Sequence, residues 1–240
     1  MTKTWKVTTK TPDPHPQKWD STLQRIAEAI GSDFQAGINQ IVSGFEDSSS
    51  PGQSNVPFRV LVSTIISLRT RDEVTIPASR RLLHEAPDAP SLAALPTQRI
   101  QELIYPAGFY KNKARNLKEI AGRLVREYGG AVPDSKEGLT SFSGIGPKTA
   151  NLVLGLGFGI DAICVDTHVH RIPNRLGWIS TRTPQETEQA LMEVLPRKFW
   201  IPINGLLVGF GQQICTPVSP RCSVCPLSDE CPRTGVTHHR

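Results

Sequence analysis

Apolar residues recur along this chain at intervals of three and four rather than two, which predicts helices throughout. Leu23, Ile26, Ala27 and Ile30 form one such stripe, and Ile38, Ile41, Val42 and Phe45 form a second. EDSSSPGQSN, Glu46 to Asn55, follows as a loop by composition and a crossing between domains. From Pro57, PFRVLVSTIISLRTRDEVT begins as a mainly apolar helix and ends in a polar cluster. Pro77 to Leu83 repeats the helical stripe, and Ser91 and Thr97 read as N-caps of two short helices, Ser91 to Leu95 and Thr97 to Ile104. A longer amphipathic helix carries Ala114, Leu117, Ala121, Leu124, Val125 and Tyr128 on one face and stops at Gly129 and Gly130. Leu139 and Phe142 suggest a short helix, which Gly144, Ile145 and Gly146 interrupt before Pro147 opens another through Leu154. Further on, Asp166 reads as the N-cap of a helix that Arg171 to Trp178 continue and end. Thr183 and Glu186 stand at capping-box spacing ahead of an apolar face of Leu191, Val194 and Leu195. No strand-like alternation competes, so the expected fold class is all-α.

Composition adds bounds to this picture. A chain of 240 residues allows one large domain or two small ones with a sizeable core. Net charge of +5 suits a polyanionic partner without requiring one. No apolar run approaches the roughly 20 residues of a membrane span. The first 20 residues, with Pro12, Pro14 and Pro16 among Lys and Thr, lack the apolar core of a signal peptide and read as a mobile basic tail. The expectation is a soluble cytoplasmic protein with no membrane partner.

Candidate chemistry concentrates between Leu139 and Asp166. Two glycines one residue apart, Gly144 and Gly146, let the backbone turn with positive φ and leave its N–H groups uncovered. Together with the orphan donors that open the next helix, they make an anion site suited to a phosphate; an ordinary helix–helix turn is the other reading. Lys148 sits in the first turn of that helix, where the macrodipole disfavours an ammonium. The dipole contributes only about 0.3 to 1 kcal/mol, too little to make a free amine from a lysine of pKa about 10.4. A nucleophilic Lys148 therefore calls for partial burial; otherwise it is a solvated surface residue. The Asp166 carboxylate can cap its helix with one side and face Lys148 or a substrate cation with the other, or it can be a structural cap alone.

Four of the five cysteines, Cys215, Cys222, Cys225 and Cys231, stand near the end of the chain, separated by six, two and five residues. In a cytoplasmic protein such clustering points to a metal rather than to disulfides, and four thiolates suit either zinc or an iron-sulfur cluster. Cys164, on an apolar segment, reads as a buried packing residue.

The hairpin GIGPKTAN followed by VDTH resembles the helix-hairpin-helix Gly-Pro-Asp superfamily of DNA glycosylases, and specifically the endonuclease III family; the cysteine spacing is similar to that family's 4Fe-4S loop at all four positions. The resemblance implies that Lys148 attacks the sugar carbon bearing a damaged base while Asp166 assists, and that the four cysteines hold a 4Fe-4S cluster. It further implies two helical domains, a barrel over residues 50–160 and a cluster domain from 21–49 plus 161–232, with the active site in the cleft between them. Composition leaves flexible tails at 1–20 and 233–240. DNA contacts would come from Gly144, Ile145, Gly146 and Thr149 of the hairpin and from Arg221. Lys111, Lys113, Arg115 and Lys118 lie at the start of the long amphipathic helix, a poor place for cations if only helix stability mattered, so they read as phosphate contacts or as a solvated face. Asp72, near the end of the apolar helix, is either structural or part of the substrate pocket, and His168 either borders that pocket or packs and bonds locally. Phe109 falls where the family inserts an apolar wedge into the base stack; a buried Phe beside Tyr110 is the alternative. Arg69 stands where the family has a glutamine that enters the gap left by the flipped nucleotide, and an arginine there can fork onto a base edge or pair with Asp72. The implied partner is double-stranded DNA with damaged pyrimidines or abasic sites, bound by a monomer in the cytoplasm, nucleoid-associated in a bacterium. Two readings compete: an iron-sulfur DNA-binding protein that senses damage or redox state without turnover, and a zinc-stabilised transcription factor.

Overall fold

The structure is a computed structural model that describes residues 16–31 and 55–240. The stripe from Ile38 to Phe45, the loop that follows it up to residue 54, and the first 15 residues of the expected tail lie outside them. In chain order the helices are α1 (Pro16–Ile30), α2 (Val56–Ser67), α3 (Asp72–Glu85), α4 (Ala89–Ala94), α5 (Thr97–Ile104), α6 (Tyr110–Tyr128), α7 (Lys136–Thr140), α8 (Pro147–Leu152), α9 (Thr167–Arg175), α10 (Pro184–Val194) and α11 (Pro202–Gln213). α8 runs on into a π turn, Val153–Gly157. Among the described residues there is no strand, and no helix is long and apolar enough to cross a membrane.

Two cores hold these helices. α2 starts where the Asn55 side chain accepts from the Phe58 N–H and Pro57 sits in the first turn. It is apolar on almost every side, burying Phe58, Val60, Leu61, Val62, Ile65 and Ile66, which suits a helix enclosed by others. α3, α6, α8 and the π turn pack around it, and α4 and α5 lean on α6. The second core gathers Leu23 and Ile26 of α1 with Val169 and Ile172 of α9, Leu191 of α10, Leu207 and Phe210 of α11, and Leu227 from the cysteine segment. α11 lies against both α1 and α9.

Several local expectations change. Asp88, not Ser91, is the N-cap of α4: its carboxylate accepts from the Ser91 N–H at 2.8 Å, and Ser91 Oγ accepts in return from the Asp88 N–H, a reciprocal capping box. Thr97 is already inside α5 and makes no capping bond. Residues 16–20 belong to α1 rather than to a tail, and Trp19 stands edge-on to Trp178 with ring centroids 4.8 Å apart. The segment after Cys231 is also tied down. Thr234 N–H donates to Arg175 O (3.2 Å), Arg240 N–H to Pro220 O (2.9 Å), and Ser223 N–H to Arg240 O (3.1 Å). Polar composition suggested a loose tail there, but backbone pairing with the cysteine segment does not depend on side-chain type.

Candidate active site

The hairpin between α7 and α8 turns at Gly144, whose φ of +77° a side chain would strain, while Gly146 is extended and occupies the N-cap position of α8. Of the two glycines, only the first therefore needs its freedom. Ile145 departs from the expected DNA contact: its side chain is buried in the core and its N–H donates to Phe142 O, so it anchors the hairpin from inside. The Thr149 side chain is buried as well. Among the described residues the N–H groups of Gly144, Gly146, Lys148 and Thr149 donate no backbone hydrogen bond, which keeps them free for an anion.

Asp166 caps α9 with one oxygen. Oδ1 accepts from both the His168 and Val169 N–H groups at 2.8 Å, which leaves Oδ2 for the cleft. The extended residues before it are held from two sides: Asn151 of α8 donates to Ile163 O (2.9 Å), and Asn204 of α11 donates to Cys164 O (3.0 Å). These two amides fix where Asp166 stands relative to Lys148, and the sequence reading missed both. Cys164 is a packing residue, its thiol pushed up to about 12 by burial and thus inert.

Lys148 and Asp166 line a cavity of about 260 Å³ together with Asp72, His168, Ser67 and Asn204. Its walls come from α2, α8 and the π turn of the first core and from α9 and α11 of the second. A further cavity of about 380 Å³ shares Lys148 and Asp166 and is completed by Gly146, His170 and Glu188. Lys148 is exposed rather than partly buried, so the protein alone does not supply the desolvation that a nucleophilic lysine calls for. Burial holds His168 below the usual histidine range; its ring is neutral near pH 7, and Nδ1 accepts from Arg171 Nη2 at 3.1 Å, which places the proton on Nε2. The same Arg171 nitrogen donates to Cys215 O (2.8 Å), linking this wall of the cavity to the cysteine segment.

Arg69 and Phe109 stand side by side on the surface. Phe109 is 61% exposed, which decides against a buried aromatic; Tyr110 instead meets Tyr105 edge-on. The Arg69 guanidinium lies 5.6 Å from the Phe109 ring centroid. Lys111 and Arg221 are exposed as expected. Lys113 is not: it is buried, and its ammonium donates to Ile66 O and Thr70 Oγ1. Lys118 donates to Ala93 O and Leu95 O at the end of α4. Lys113 and Lys118 thus serve the carboxyl ends of neighbouring helices, where positive charge is favourable.

Cys215, Cys222, Cys225 and Cys231 line one cavity with Arg175, Arg221 and Arg233. Burial raises the Cys225 and Cys231 thiols, and four thiolates crowded together repel, so this donor set is unfavourable without bound cations. By its chemistry, a set of four thiolates suits an iron-sulfur cluster as well as zinc. Donors for cluster thiolates are in place: Arg175 Nη1 points at Cys215 Sγ (3.6 Å) and the Arg233 N–H at Cys231 Sγ (3.4 Å).

A helix-hairpin-helix beside a helix-capping aspartate, set against a four-cysteine loop, defines the class of the protein, and residues 62–197 match the HhH-GPD superfamily of base excision DNA repair proteins. Residues 215–231 match the iron-sulfur binding domain of endonuclease III. The chain belongs to the endonuclease III family: it is 51% identical to endonuclease III of Thermotoga maritima over 73% of this chain and 82% of that one. Its fold superposes on an endonuclease III solved in a non-covalent complex with DNA, with a TM-score of 0.75, 29% identity, and coverage of 90% of this chain and 95% of that one. A second solved relative, a trapped endonuclease III–DNA covalent intermediate, gives a TM-score of 0.69 at 31% identity over 82% of this chain and 92% of that one. The protein is a base excision repair DNA glycosylase and abasic-site lyase with a 4Fe-4S cluster. Membership selects the enzyme over the non-catalytic sensor and the zinc protein.

Proposed function

We propose that the protein removes oxidised pyrimidines from double-stranded DNA and cleaves the strand 3′ to the resulting abasic site, acting as a monomer through Lys148 and Asp166. A single observation carries this reading: Lys148 and the uncommitted oxygen of Asp166 line one cavity between the two cores, beside the open N–H groups of the hairpin. Hairpin N–H groups take a backbone phosphate, with Lys111 and Arg221 as further charged contacts. The damaged nucleotide turns out of the stack into the 260 Å³ cavity, where Asp72 and His168 border its base, and Arg69 and Phe109 fill the gap.

DNA seated on the cleft excludes water from Lys148 and so favours its neutral amine. Asp166 takes the proton, Lys148 Nζ bonds to C1′, and the base leaves with the electron pair of the glycosidic bond. Once the sugar ring opens, the adduct is an imine. A proton then leaves C2′, the C3′–O bond breaks with its electrons going to the departing phosphate, and water releases the lysine. Support for the covalent route comes from the relative trapped on DNA. Cys215, Cys222, Cys225 and Cys231 would hold the cluster, whose chemistry here is structural: it closes a loop with little apolar core of its own and presents Arg221 to the strand. Residues 50–160 and residues 21–49 plus 161–232 are the two domains in this reading, and the DNA partner accords with a cytoplasmic, nucleoid-associated protein if the source is bacterial.

The product distinguishes this route from others. On a duplex with one thymine glycol, β-elimination should leave an unsaturated aldehyde at the 3′ end of one fragment and a phosphate at the 5′ end of the other, both resolved by gel or mass spectrometry. Base release without strand cleavage would mean that hydrolysis, not imine chemistry, frees the base.

A further inference from the structure

One buried charge has no part in the chemistry above. Lys113 is only 7% exposed, and burial pushes its ammonium down to about 8. Its Nζ donates to Ile66 O (2.5 Å) and to Thr70 Oγ1 (2.8 Å), and Thr70 Oγ1 also accepts from the Gly108 N–H (3.0 Å). Ile66 lies in the last turn of α2, where carbonyls lack partners within the helix; Thr70 lies just beyond it; Gly108 lies just before α6. A single ammonium and a single hydroxyl therefore stitch the loop after α2 to the loop before α6. The two backbones touch: a Cβ on Gly108 would fall 2.5 Å from Arg69 O.

Each stitched loop carries one large exposed residue in a strained conformation. Arg69 has φ +53° and Phe109 φ +57°, both in the left-handed region that side chains disfavour. Such conformations persist only where the surroundings over-determine them. The bonds of Lys113 and Thr70 provide that constraint at the base of both residues, and the guanidinium–ring contact provides it at the tip.

We propose that Lys113 is a positioning residue: it clasps the two loops so that Arg69 and Phe109 enter the helix as one preassembled wedge. The proposal rests on the reading that these two side chains fill the gap left by the flipped nucleotide. Opening a base stack is costly, and a wedge that had to be ordered on binding would add the entropy of two loops to that cost. Preassembly removes this second cost. Lys113 thus acts on duplex opening and not on the imine.

The test compares duplex and single-stranded DNA, since a single-stranded abasic site needs no wedge. Lys113→Met, in the full chain with its cluster, should lower single-turnover cleavage of a duplex abasic site at least about tenfold more than cleavage of the same strand alone. The fluorescence rise of a 2-aminopurine placed next to the lesion, which reports unstacking on binding, should be lost in parallel. Thr70→Val removes the shared hydroxyl while keeping Lys113 and should shift both readouts the same way; it decides the matter alone if Lys113→Met does not fold. Equal losses on the two substrates, or no loss on either, would overturn the proposal. Arg69→Ala and Phe109→Ala separate it from the reading beneath it. If they leave the duplex-to-single-strand ratio unchanged, the wedge reading fails and the clasp falls with it. If they lower the ratio while the Lys113 and Thr70 variants do not, only the clasp is overturned.

Discussion

Replacing Lys148 with glutamine should abolish strand cleavage and slow base release by on the order of 10³-fold or more, because Lys148 is the only amine among the described residues that line the cavity. Glutamine keeps most of the side chain's length and its solvent exposure, so the fold should be unaffected. Lys148 is exposed at the start of α8, and an exposed charge contributes about 1 kcal/mol or less. Affinity for a duplex abasic site should therefore weaken by no more than about fivefold. Titration of labelled duplex together with single-turnover kinetics checks both halves. A variant that loses binding and cleavage in equal measure would make Lys148 a phosphate contact instead of the nucleophile.

Asp166→Asn should show the next largest effect, and its interest lies in what it spares. Asparagine caps a helix about as well as aspartate does, so the bonds to the His168 and Val169 N–H groups survive and the melting temperature should barely move. What is lost is a base for the lysine proton and a negative charge beside the developing positive sugar, together about 10²- to 10⁴-fold in rate. Asp166→Ala loses the cap as well and should be less stable by roughly 1 kcal/mol. Thermal melting and single-turnover rates, measured on both variants, separate the carboxylate's two duties. Near wild-type turnover in Asp166→Asn would reduce Asp166 to a structural cap.

The parts of this molecule that were legible in the sequence are those that depend on neighbours along the chain. A mainly apolar run from Pro57, an amphipathic stripe stopped by Gly129 and a cap at Thr183 place α2, α6 and α10 within a few residues, and the carboxylate before α9 behaves as a local cap should. Lys148 and Asp166 stood out because each sits at a helix start, where local rules already assign a meaning to charge. What the sequence did not reveal depends on distant partners. Ser67 and Asn204 carry no local signal, yet they line the cavity because α2 and α11 come together across it. Asn151 stands within the hairpin motif, and its bond to Ile163 O joins residues twelve positions apart that only the fold brings together. Lys113 and Lys118 carried the same apparent signal as Lys111, a cation at the wrong end of a helix, and only the approach of α2 and α4 separates carbonyl caps from a free charge. Lys148 was the reverse case: desolvation was expected from the protein, and its exposure moves that task to the bound DNA.

Borohydride trapping followed by peptide mapping tests the central claim most directly. The protein is mixed with a duplex bearing an abasic site or thymine glycol, reduced, digested and sequenced by mass spectrometry. A covalent adduct on Lys148 with both substrates is the predicted result. An adduct on another amine, such as Lys111, or no adduct despite strand cleavage, would contradict the assignment of Lys148 as the attacking group.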